Sequence, residues 1–364
     1  MSKSLRKIVG IGVLITLILG LGIGLTNCWA QEIDYSKFLP TISRDEWVPA
    51  GTYKKDPPYT IGVSFKFSTI DWAVLLIEET KDYAAHNKYI KRLIYTDAEG
   101  KISKQIHDIE DMIARGVDAI CINPMSPTAL IPIIDRIYES GLPVVVFETD
   151  YLGDKYSALR TNSNWEFGRM ITRALVDKMG GKGNIIVLRG VAGVGPDIAR
   201  WGGAEDVLKH YPDIKIVAMD YADWAYDKAR VIAASMIAAN PKIDGIWACG
   251  GQMALAAEEE LLKAGRPLVP CTGEDYNGLL KFWKKYPETC TGVAPCQPVY
   301  FGKLALEAAV NLLQGIPTIR KVILNPPTIT METLDKYVRP DLPKEVWCNT
   351  TLTESQLKEI YRAK

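Results

Sequence analysis

Histidine is scarce: the 364 residues hold three, His86, His107 and His210. Each falls in a predicted helix beside charged or polar residues, which reads as a solvated face rather than a general base. No Gly-X-Ser-X-Gly elbow, His-Glu-X-X-His helix or P-loop occurs, so the common hydrolase, zincin and nucleotide signatures are missing. None of the seven cysteines makes a Cys-X-X-Cys pair, which removes the usual zinc spacing. Neither charge sign dominates: 43 basic residues balance 43 acidic ones, with no basic block and no low-complexity tract, so no nucleic-acid partner is expected. Gly190, Gly193 and Gly195 stand between a strand and a helix, as a phosphate cradle would, but Ile198 occupies the place of the last glycine. Pro196-Asp197 reads there as a helix start. The chain is therefore not expected to be an enzyme, and no cofactor or metal is expected.

The one long apolar run, Ile8 to Leu25, follows Lys3, Arg6 and Lys7 and precedes Cys28-Trp29-Ala30. That is the layout of a secretory signal over residues 1–30, with cleavage near Ala30. Two alternatives remain: an uncleaved anchor, because the run is long enough to span, and a lipid anchor at Cys28. The expected product is extracytoplasmic or periplasmic. Six cysteines follow the signal. Cys121 and Cys249 sit in apolar strands as packing residues, whereas Cys271 and Cys290 fall in consecutive predicted strands, where a disulfide is conceivable.

Beyond a proline-bearing leader, residues 31–56, the pattern alternates between short β-branched runs and helical stretches. The middle of the chain repeats itself. DAICINPM at 118–125 and DGIWACGGQM at 244–253 are each followed by a helix, a Gly-X-Pro and a strand ending in acids. These acids are Glu148 and Asp150 in one copy, Glu274 and Asp275 in the other. Strict alternation predicts an α/β fold of two doubly wound parallel-sheet lobes joined by a multi-strand hinge. The expected division is 57–162 with 297–326 as lobe I and 163–296 with 327–332 as lobe II, followed by a tail, 333–364.

Ligands of open parallel sheets sit beyond the carboxyl ends of the strands. There the sequence offers one tryptophan per half at a strand-to-helix junction: Trp72 after Asp71, and Trp224 after Asp223. Two indoles suit the C–H face of a sugar ring, and Asp71, Glu148, Asp275 and Arg200, with amides from Asn123 and Gln297, suit its hydroxyls. Singly, each tryptophan could be core and each carboxylate a helix cap.

The segments IGVSF, INP, GLPVVVFETD, RWGGAEDVLKHYPDIKIV, GQMALAAEEELLKAG and QPVYFGKLALEA, in that order over about residues 58–330, resemble the periplasmic sugar-binding proteins of ABC transporters. The likeness is to the ribose- and galactose-type (type I) branch, which shares its fold with LacI-like effector domains. The resemblance implies a monomer that closes on a small carbohydrate or polyol and delivers it to a membrane permease. An alternative is presentation to a chemoreceptor or sensor kinase. It implies ligand contacts at Asp71, Trp72, Asn123, Glu148, Arg200, Trp224, Asp275 and Gln297, and places Gly250 where the family has a polar residue. Glu148-Thr149 replaces the Asp-Arg of a ribose binder, and Gly250 leaves extra room, which turns the expectation toward a larger or modified sugar or a polyol.

Overall fold

The computed structural model describes residues 46–362. The expected signal segment, Cys28 and most of the leader lie outside the described residues. The chain begins with β1 (Trp47–Val48), β2 (Tyr59–Phe65), α1 (Asp71–His86), β3 (Ile90–Asp97), α2 (Ile102–Ala114), β4 (Ala119–Ile122), α3 (Ile131–Glu139), β5 (Val144–Phe147) and β6 (Ala158–Asn162). It continues through α4 (Asn164–Lys178), β7 (Gly183–Arg189), α5 (Gly195–Leu208), β8 (Ile214–Tyr221), α6 (Tyr226–Ala239), β9 (Gly245–Ala248), α7 (Gly251–Lys263), α8 (Asn277–Lys285) and β10 (Ala294–Pro295). It ends with α9 (Phe301–Leu313), β11 (Thr318–Ile319), β12 (Lys321–Leu324), β13 (Thr328–Ile329), α10 (Leu334–Tyr337) and α11 (Glu354–Arg362).

The first sheet is wholly parallel, in the order β12-β6-β5-β4-β2-β3. Its central strands are buried at every position of β4 and β5, the signature of a sheet covered on both faces. The second sheet runs β8-β7-β9, also parallel, and is extended by single bridges from Ile246 to Cys271 and from Cys271 to Cys290. This is the doubly wound α/β architecture read from the alternation. The chain passes between the sheets after β6, again around β10, and again before β13. The short strands β10 and β13 pair antiparallel at that crossing.

One expected strand is missing. The segment 268–272 forms no strand, because Pro267 and Pro270 have no N–H for the ladder; only Cys271 pairs. The thiols of Cys271 and Cys290 are free and buried, and they turn different ways, toward the Ala254 carbonyl and the Gly292 N–H respectively. Within the leader, β1 pairs antiparallel with β11, and Val48 is buried. The strand β6 has no counterpart in the sequence reading, since Arg160-Thr161-Asn162 looks like loop. Arg160 is nonetheless buried, with Nη1 donating to the carbonyls of Leu159 and Ile319.

A buried acid in the second lobe carries a stability prediction. Glu258 of α7 is fully buried, and neither carboxylate oxygen finds a partner among the described residues. Burial first, and the charge of Glu288 second, raises its pKa well above the usual carboxyl value. Below pH ~4.5 the group is protonated folded and unfolded alike. As pH rises further the unfolded chain releases the proton while the folded one retains it, so stability is lost up to the folded pKa. Glu258→Leu is therefore expected to gain about 1–3 kcal/mol at pH 7.5 and almost nothing from this source at pH 4. Denaturant melts at the two pH values check this.

Candidate functional site

The carboxyl ends of both sheets open on one cavity, lined in part by Lys66, Trp72, Glu148, Arg200, Trp224 and Gln297. Each lobe brings one buried ion pair. In the first, Lys66 leaves the end of β2 and Glu148 the end of β5, with Nζ 2.6 Å from Oε2. In the second, Arg200 of α5 meets Glu274, Nη1 2.8 Å from Oε1. All four side chains are almost completely buried. Two cations face two anions, so the wall is charge-balanced.

Arg200 is the most heavily committed side chain. Its Nη1 also donates to the Cys249 carbonyl at 2.7 Å, its Nε to Asn164 Oδ1 at 3.1 Å, and its Nη2 to Gln297 Oε1 at 3.1 Å. The guanidinium lies 3.7 Å from the centre of the Phe167 ring. Burial weakens its hold on the proton, but the Glu274 carboxylate, together with Cys249 and Glu148, outweighs that and raises its pKa. Glycine makes this placement possible. A Cβ on Gly168 would lie 1.9 Å from the Arg200 carbonyl oxygen, and one on Gly203 2.1 Å from that of Trp165, so only glycine lets α4 and α5 approach this closely. Gln297 ties the lobes together: Oε1 accepts from Asn162 at 2.9 Å as well as from Arg200, and Nε2 reaches Glu148 Oε1 at 3.4 Å.

The two expected indoles both line the cavity. Trp72 Nε1 donates to the Gln297 carbonyl and Trp224 Nε1 to that of Cys249, each at 3.2 Å. With the N–H groups used on the backbone, ring faces and edges are what each indole has left to offer. Trp224 has φ 51° and Glu148 φ 49°, left-handed values uncommon outside glycine. Such strain concentrates at functional sites.

Four expected residues do not line the cavity. Asn123 is buried behind it, donating to Glu148 Oε2 at 2.9 Å, and so orients the acid rather than a ligand. Asp275 turns away: its carboxylate accepts from the backbone N–H of Gln297 and of Asn349, both at 2.8 Å. Burial, and then the neighbouring Glu274, pushes its pKa up to about 7. The adjacent Glu274 is the acid that faces inward. Asp71 heads α1 and acts, after burial, to raise the hydroxyl pKa values of Tyr276 and Tyr361. Gly250 does not leave extra room: a Cβ there would lie 2.7 Å from Trp224 Cδ1, so the indole occupies that space.

The sequence reading missed Lys66, Gln252, Glu274 and Trp347 as cavity residues. Lys66 had a signal, a lone cation directly after an apolar strand. Glu274 stands beside Asp275, and two adjacent acids cannot be told apart by pattern. Trp347 had none.

Among the described residues no helix is long and apolar enough to cross a membrane, and no cluster of three His, Cys, Asp or Glu side chains could hold a metal.

Residues 61–317 match the family described as periplasmic binding protein domain. The chain is 27% identical to the ribose import binding protein of Bacillus subtilis, over 79% of this chain and 92% of that one. It is 32% identical to a xylitol-binding protein of Mycolicibacterium smegmatis over 50% of this chain, a match spanning about half (53%) of that relative. A solved ABC transporter solute-binding protein from Thermobispora bispora superposes with TM-score 0.74 at 23% identity, over 84% of this chain and 96% of that one. The fructose-binding periplasmic domain of a hybrid two-component system gives TM-score 0.66 at 24% identity, over 76% of this chain and 92% of that one.

Proposed function

Because the chain belongs to the periplasmic binding protein domain family, a family of binding proteins rather than enzymes, we propose that it captures one neutral polyhydroxy molecule, a small sugar or polyol, and hands it to an ABC transporter permease. The observation that carries this is the charge-balanced cavity: Lys66 against Glu148 and Arg200 against Glu274, with the indoles of Trp72 and Trp224 beside them. A free cation or anion would have to displace an internal partner and leave a buried charge uncompensated. Hydroxyls, which both donate and accept, can join the ion pairs without disturbing the balance. Relatives named for ribose and xylitol point to the same chemistry.

Closure follows from the same geometry. Trp72 and Glu148 belong to one lobe, Arg200 and Trp224 to the other, so a molecule touching all four favours the closed form by binding it better. The mature protein is proposed to act as an extracytoplasmic monomer with the ligand contacts at Trp72, Glu148, Arg200, Trp224 and Gln297. Presentation to a sensor kinase would use the same closure. Titration calorimetry on a panel of D-ribose, D-allose, xylitol and myo-inositol, with D-galacturonate and D-glucosamine as charged controls, tests the reading. One-to-one binding of a neutral compound, with the charged ones silent, is expected; tight binding of a charged control alone would refute it.

A further inference from the structure

Two residues that line the cavity each carry a polar atom left without a partner by the protein itself. Trp347 is 2% exposed and Gln252 1%, and both line the cavity. Among the described residues the Trp347 indole N–H meets no acceptor, and Gln252 Oε1 meets no donor. Trp72 and Trp224 differ in this respect, since both donate to backbone carbonyls. Leaving a buried donor or acceptor unmet is costly, so a molecule that satisfies it is favoured in proportion.

Both atoms are held in place. Gln252 Nε2 donates to the Trp224 carbonyl at 2.8 Å; a carbonyl can only accept, so the amide orientation is fixed and Oε1 is the free end. That oxygen lies 2.8 Å from where a Cβ of Gly250 would be, so the Gln252 amide fills the place of the side chain Gly250 lacks. Trp347 arrives from the C-terminal segment, beyond residue 317 where the family match ends. That segment is fastened to both lobes. On the second, Asn277 N–H donates to the Val346 carbonyl at 2.8 Å and Cys348 N–H to the Asp275 carbonyl at 3.0 Å. On the first, Thr351 N–H donates to Glu79 of α1 at 2.7 Å. The indole itself packs edge-on against Tyr276, ring centres 5.7 Å apart.

We propose that Trp347 and Gln252 form a hydroxyl-reading subsite: the indole N–H donates to a ligand oxygen, and a ligand hydroxyl donates to Gln252 Oε1. An ether oxygen could meet only the first and an ammonium only the second; hydroxyl groups meet both. The C-terminal strap thereby becomes part of the specificity apparatus. This inference rests on the sugar-or-polyol reading above.

The test is calorimetric titration of Trp347→Phe and Gln252→Met with whichever of D-ribose, D-allose, xylitol and myo-inositol binds the unaltered protein most tightly. Phenylalanine keeps an edge-on ring for Tyr276 and removes only the N–H. Each variant is expected to bind about 10-fold more weakly. Monodeoxy forms of the same probe should include one that loses a similar factor in the unaltered protein and nothing further in Trp347→Phe. Unchanged affinity in either variant overturns the subsite while leaving the sugar-or-polyol reading intact. Failure of all four probes to bind the unaltered protein refutes that reading, and the subsite with it.

Discussion

Replacing Arg200 with methionine is expected to abolish ligand binding and to destabilise the fold by about 3–5 kcal/mol. The guanidinium serves Cys249, Asn164, Glu274 and Gln297 at once, all within 3.1 Å. Without it Glu274 keeps only the Gly251 N–H, at 2.8 Å, and is a buried charge with no cation. The pair's own net worth is small; breaking it from one side is what costs. The double replacement Arg200→Met with Glu274→Leu should therefore recover most of the stability, as judged by denaturant melts. Calorimetry on the double variant should still show no binding, because Gln297 is no longer held between the lobes. Recovery of both properties would mean that the pair is purely structural.

The tryptophans carry the second large effect. Trp72→Ala and Trp224→Ala should each weaken binding by about 1–3 kcal/mol, the value of a large apolar surface kept from water. Trp224→Ala should in addition cost about 3–5 kcal/mol of stability. Its ring rests on Gly190 as well as Gly250; a Cβ at the former would lie 2.4 Å from its Cζ2, and truncation opens a void over both. Trp72→Ala is expected to cost a similar amount in melts, because Trp72 is as deeply buried as Trp224. Equal binding by both variants and the unaltered protein, in calorimetry, would remove the indoles from the site.

How far the sequence speaks depends on how local the determinant is. Strands β2, β4, β5 and β9 are legible as apolar runs between turn residues, which need no outside information. The strand β6 is not, because what buries Arg160 is a carbonyl at Ile319, some 159 positions away. At the site, Trp72, Glu148, Trp224 and Gln297 are legible from their places after strands, and Arg200, inside α5, from the family resemblance. Glu274 and Asp275 are adjacent acids that turn to opposite sides, and pattern alone does not say which turns inward. Gly250 was legible as a departure but its consequence was not, since Gln252 and Trp224 close the gap from elsewhere. Nothing in the C-terminal segment marks Trp347, whose position is dictated by backbone bonds to Asp275 and Asn277.

The most direct measurement is a crystal structure of the protein with the tightest-binding neutral sugar or polyol. The account predicts one molecule between Trp72 and Trp224, with hydroxyls within hydrogen-bond distance of Glu148, Arg200 and Gln297. Electron density for the ligand outside this cavity, or within it but away from both indoles, would contradict it.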